Sequence, residues 1–149
     1  MSHFVDFSWY PLSGLIYQTN QTLTNSAATN SSFATYKIPT YASGTSLTGT
    51  PNCYLTWVRI TYYQRIASAD VGGSSPSVIL SFDYVSPITQ NTITVTLPTL
   101  TASTLDGVSQ GMYMVPVTPG STLNFKRTSG GTVGGTPATV MVDIAVEGI

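Results

Sequence analysis

From Thr92 to Leu97 the chain alternates without a break. Ile93, Val95 and Leu97 fall on one side; Thr92, Thr94 and Thr96 fall on the other. A period of two describes a strand with one buried and one wet face, and a helix with its period of 3.6 cannot satisfy it. The pattern recurs. Val78, Leu80, Phe82 and Tyr84 alternate with Ile79, Ser81 and Asp83, and Val140, Val142, Ile144 and Val146 alternate with Thr139, Met141, Asp143 and Ala145. The longest helix candidate, Ala102 to Gln110, is interrupted by the turn dipeptide Asp106-Gly107. The chain therefore reads as all-β.

The longest run without a turn residue is Tyr54 to Ile66, dense in aromatic and β-branched side chains, and it predicts a long strand. Val58, Ile60 and Tyr62 share the face expected to be core. Trp57, Arg59, Thr61, Tyr63 and Arg65 share the other. Trp, Tyr and Arg are the residues enriched at interface hot spots, so Trp57, Arg59, Tyr63 and Arg65 form the candidate interface. Antiparallel pairing of this strand with Val78–Tyr84 would bring Arg59 or Arg65 near Asp83.

Further strands are expected at Phe4–Trp9 (ended by Pro11), Leu15–Leu23, Phe33–Ile38 (stopped by Pro39) and Met112–Val117. Pro119-Gly120 fits positions i+1 and i+2 of a type II turn, with Thr122–Arg127 as the hairpin partner of Met112–Val117. The intervening stretches 24–32, 41–52, 70–76, 99–111 and 129–137 read as loops of very unequal length. About eight to nine strands joined in this way predict a single-domain antiparallel β-sandwich over residues 1–149, of jelly-roll or Greek-key topology. A short N-terminal strand or arm covers about residues 1–32.

Charge is scarce. Only 7% of residues are Asp, Glu, Lys or Arg, against roughly 25% in ordinary soluble domains. Twenty-four Thr and 18 Ser supply the polarity instead. Net charge is −1, which removes electrostatic opposition to association. Nucleic-acid binding needs clustered cations, and the only adjacent basic pair, Lys126-Arg127, reads as a solvated strand end. No apolar run reaches the roughly 20 residues that span a bilayer. The first six residues lack the basic and apolar regions of a signal peptide. Cys53 is the sole cysteine, so no intrachain disulfide forms, and a buried packing role is expected of it.

Motifs for chemistry fail on context. Gly107-Val-Ser-Gln-Gly111 matches the spacing of a nucleophile elbow, but that elbow needs a strand before the Ser and a helix after it. His3 is the only histidine and has no partner ligand. Asp70 and Asp106 lie in separate loops and read as solvated turn residues, too few for a hard cation. Gly130–Gly135 lacks the Lys-Ser/Thr of a phosphate loop. The sequons at Asn20 and Asn30 read as polar loop residues. No catalytic, cofactor-binding or metal residue is assigned.

The near-uncharged hydroxyl-rich surface and long polar loops resemble small single jelly-roll viral structural proteins. So does the closing unit Tyr113-Met-Val-Pro-Val-Thr-Pro-Gly-Ser-Thr-Leu-Asn-Phe125, followed by a Gly-rich loop and a valine-rich last strand. The resemblance implies a non-enzymatic capsid, decoration or spike component. Such a component would be located in the virion, partnered with itself and other virion proteins, and homo-oligomeric, with a trimer among the forms it allows. It carries over no functional residue. The alternative reading is a carbohydrate-binding or adhesin module, with Trp57 and Tyr63 as the aromatic platform for a glycan.

Overall fold

The computed structural model describes residues 9–11, 14–26, 31–39, 52–54 and 57–149. They form eleven strands: β1 (Trp9–Pro11), β2 (Gly14–Thr24), β3 (Ser31–Lys37), β4 (Asn52–Tyr54), β5 (Trp57–Ser68), β6 (Ser74–Val85), β7 (Thr92–Thr96), β8 (Leu100–Thr101), β9 (Val108–Pro116), β10 (Thr122–Thr132) and β11 (Thr139–Gly148). No helix occurs among the described residues. The short β1 and β4 pair in parallel as a separate ladder. The expected strand at Phe4–Trp9, apart from Trp9 itself at the start of β1, and most of the loop at 41–52 lie outside the described residues, as do His3 and Asn30.

Nine strands build two antiparallel sheets. One has the order β2-β11-β5-β9, the other β3-β10-β6-β7 with β8 beside β6. Apart from the β6–β7 hairpin and short β8, successive strands of the sandwich step from one sheet to the other. That is a jelly roll, one of the two topologies, jelly roll or Greek key, expected from the loop lengths. The alternating apolar faces meet between the sheets. Val58, Ile60, Tyr62, Val78, Leu80, Phe82, Leu123, Phe125, Val140, Val142, Ile144 and Val146 are all buried there. Aromatic rings bridge the layers: Tyr62 of β5 meets Phe125 of β10 edge-on, with centroids 5.5 Å apart.

This topology corrects two expected pairings. β5 and β6 lie in opposite sheets, so Arg59 and Arg65 do not approach Asp83. Asp83 instead takes Lys126 of the adjacent strand β10, diagonal to it in the register, at 2.8 Å. The turn at Pro119-Gly120 has the expected form, with Gly120 at φ +77° and Ser121 N donating to Thr118 O at 3.1 Å. It does not close a hairpin, however: β9 and β10 belong to different sheets. A tight turn fixes the reversal of the chain but not which neighbours the next strand takes.

Other segments read as loops are in fact ordered. β6 begins at Ser74, β9 at Val108, and β10 runs on to Thr132. Asp70 is buried rather than solvated. Its carboxylate accepts from Gly73 N at 3.0 Å and from Gly134 N at 3.0–3.1 Å, latching the β5–β6 connection to the β10–β11 connection. Arg127 is likewise buried and not a solvated strand end. It donates to neutral acceptors, Asn25 Oδ1 and Ser26 O at 3.0 Å and Ser129 Oγ at 2.7 Å. Burial without a counter-charge lowers its pKa.

One core position breaks the apolar rule. Gln64 continues the inward row of β5 and is fully buried, yet neither its Oε1 nor its Nε2 has a hydrogen-bond partner among the described residues. Tyr62 Oη, two residues earlier on the same face, is also unpartnered.

Candidate contact face on the four-stranded sheet

The outer face of the β2-β11-β5-β9 sheet is a lattice of side chains in register. Four rows cross it: Leu15, Glu147, Arg59 and Met114; then Gln18, Ala145, Thr61 and Met112; then Asn20, Asp143, Tyr63 and Gln110; then Thr22, Met141, Arg65 and Val108. Trp57 stands at the end, opposite Pro116. The strand parity read from the sequence therefore places Trp57, Arg59, Tyr63 and Arg65 together on this face. The partners of the two arginines come from distant parts of the chain.

Both arginines are engaged within the chain. Arg59 Nη2 donates to Glu147 Oε2 across β5–β11 at 2.6 Å, and that hydrogen bond and charge raise the Arg59 pKa. Arg65 Nη1 donates to Asp106 Oδ1 at 2.7 Å, and its Nη2 lies 3.0 Å from Met141 Sδ. Together with Lys126–Asp83 and buried Arg127, four of the five cations are committed internally. Among the described residues Lys37 and Arg127 make no ion pair, and Arg127 is buried on neutral acceptors. The face thus offers no free cationic cluster for phosphates.

Two other qualities remain, and they divide the face. Toward β9 it is apolar: Trp57 is 46% exposed, Val108 50%, Met112 64% and Met114 59%. Among the described residues β9 is an edge strand, so this stripe borders the edge of the sheet. Toward β2 the face is hollow, with polar side chains around a largely apolar lining. A concavity of about 240 Å³ lies over β2, β11 and β5, lined by Gln18, Asn20, Thr61, Tyr63, Asp143 and Ala145. The methionines of the stripe and Gln18 carry no motif, and the sequon at Asn20 does not point to a hollow. What signals them is strand register, which joins residues up to 123 positions apart, as in the hydrogen bond from Asn20 to Asp143.

The residues of the catalytic motif are placed differently from an elbow. Ser109 sits inside β9, and its Oγ donates to Pro98 O at 3.0 Å. Asp70 and Asp106 do not converge: one binds glycine amides, the other Arg65. The side chain of Cys53 lies outside the described residues.

No protein-family profile matches the chain, and no curated protein matches it. Among solved structures it is similar to the Clostridium thermocellum N-terminal endo-1,4-β-D-xylanase 10B, determined as CBM22-1 and GH10 modules with xylohexaose. Identity is 12% and the TM-score 0.44, over 93% of this chain and 29% of that one. The chain spans under a third of that protein's length, and so slight a likeness carries no argument about ligand or activity.

Proposed function

We propose that this chain is a non-enzymatic virion structural protein, a capsid, decoration or spike subunit that docks on copies of itself. The observation that carries the reading is the apolar stripe of Trp57, Val108, Met112 and Met114 along the β9 edge of a jelly roll. The rest of the chain supports self-association because four of its five cations are held internally and its net charge is −1. A second copy meets no electrostatic barrier, and a neutral apolar stripe is self-complementary in a way that a charged one is not. Fully burying one side chain of this size is worth about 1.5–3 kcal/mol before the cost of association is met. Jelly rolls serve in capsids and in lectins alike, so the fold is compatible with the reading without selecting it.

In this reading the contact includes Trp57, at the end of the β5 row, and the exposed Val108, Met112 and Met114 of β9, with Arg59, Tyr63 and Arg65 beside them on the same face. Sedimentation of the purified chain over a range of concentrations tests the proposal. A concentration-dependent homo-oligomer is expected, shifted to monomer by Trp57→Ala combined with Met112→Lys. A chain that stays monomeric at the highest soluble concentration, and does not incorporate into particles, defeats it.

A further inference from the structure

We infer that the shallow hollow on the β2 side of the same face, apolar in its floor and edged by polar groups, is a binding site for a single ring of a neutral saccharide. Its position is set by register. Ala145 and Thr61 are neighbours across β11 and β5 and form a low floor, because their short side chains lie between rows of longer ones. Tyr63 rises on one side, half-buried, and its ring makes no aromatic contact among the described residues. Asp143 stands directly opposite Tyr63, and Gln18 and Asn20 close the β2 side.

These groups match the two-sided chemistry of a sugar. A pyranose has an apolar C–H face and a rim of hydroxyls that both donate and accept. The Tyr63 ring and the Ala145 methyl offer the apolar contact. The Asp143 carboxylate accepts hydroxyl protons, and the Gln18 carboxamide both donates and accepts. Asn20 Nδ2 donates to Asp143 Oδ1, which fixes the carboxylate and leaves Oδ2 without a partner among the described residues. At about 240 Å³ the hollow is smaller than the roughly 300–1,000 Å³ of most small-molecule pockets, so a single ring fills it.

Charge narrows the class further. Asp143 gives the hollow a negative group. The cation of the adjoining row, Arg59, is held by Glu147. Anionic sugars, phosphates and nucleic acid are therefore disfavoured. One carboxylate does not supply the six to eight oxygens that a hard cation takes. The hollow lies over β2, β11 and β5, whereas the apolar stripe follows β9, so saccharide binding does not depend on the assembly reading.

The test is a titration followed by backbone amide shifts. The probes are the methyl glycosides of glucose, galactose and mannose, N-acetylglucosamine, and N-acetylneuraminic acid as the acidic comparison. Each is taken to about 20 mM, well past a dissociation constant of about 1 mM. At least one neutral probe is expected to move the amides of Thr61, Tyr63, Asp143 and Ala145, and the acidic one is not. Tyr63→Ala and Asp143→Ala should each weaken binding at least tenfold. Ala145→Met, which fills the floor and leaves both of those groups in place, should abolish it. Gln18→Ala on the edge strand substitutes for any variant that fails to fold, with the same expected weakening. Silence from every neutral probe, equal binding of the acidic probe, or undiminished binding by Ala145→Met overturns the inference.

Discussion

Arg65 Nη1 and Asp106 Oδ1 lie 2.7 Å apart, a pair separated by 41 residues that ties the turn before β9 to the outer face of β5. Both side chains are more than a third exposed, at 36% and 66%, so water screens their attraction. Asp106→Asn is expected to cost about 0.5 kcal/mol or less, and the difference should vanish in molar salt. Denaturant midpoints for the two proteins at low and high salt check this.

The unpartnered core amide leads to the opposite sign. Gln64 occupies a position that its neighbours Tyr62 and Ile66 mark as interior, and its carboxamide forgoes hydrogen bonds that water would supply in the unfolded chain. Gln64→Met keeps the length of the side chain and removes both polar atoms. It should stabilise the fold by about 1–2 kcal/mol, read as a rise in the urea midpoint at constant slope.

Tyr62 sets an alkaline limit. Burial raises its hydroxyl pKa far above the ordinary value of about 10. The folded protein retains a proton that the unfolded chain releases, so this contribution to stability is complete below pH ~10 and declines as pH rises beyond it. Tyr62→Phe should flatten that decline. Because the hydroxyl has no partner among the described residues, the same change should cost nothing at neutral pH. Thermal unfolding followed from pH 7 to pH 11 separates the two effects.

The Asp70 latch predicts a large loss from a small addition. A methyl group on Gly134 would collide with Val71 O, Gly73 N and the Asp70 carboxylate, two of them backbone atoms with little room to move. Gly134→Ala should destabilise by about 2 kcal/mol or more, whereas Gly135→Ala, next to it and facing open space, should be close to neutral. Melting temperatures of the two variants give the comparison.

For the contact stripe, Met114→Lys should raise the concentration at which oligomers form at least tenfold, since it puts a charge into an apolar contact. Ile88→Lys, on an exposed turn between β6 and β7, should leave that concentration unchanged. Equal effects from both substitutions would show that added charge alone, and not the stripe, governs association.

Strand identity was legible because burial writes itself into the sequence at period two. Val140, Val142, Ile144 and Val146 announce the inner face of β11, and Val58, Ile60 and Tyr62 that of β5. Pairing was not legible in the same way. Pro119-Gly120 promised a hairpin and delivered a step between sheets, since turn chemistry is local and sheet membership is not. On the candidate face, parity alone brought Trp57, Arg59, Tyr63 and Arg65 together. The fate of the arginines depended on Glu147, 88 residues from Arg59, and on Asp106. The hollow was invisible for the same reason. Ala145 and Thr61 are unremarkable until register sets them side by side.

The strand order β2-β11-β5-β9 has a consequence for synthesis. β11 lies between β2 and β5 and supplies the ladder to both. A growing chain that has not yet released Thr139–Gly148 holds β2 with no partner in its own sheet and leaves one side of β5 open. β9 can pair with β5 beforehand, but β2 and the other side of β5 cannot be sealed early, and long-range pairing of this kind is intrinsically slow. Folding during translation must therefore wait for the last ladder, and the exposed strands before that moment are where aggregation competes with the native state.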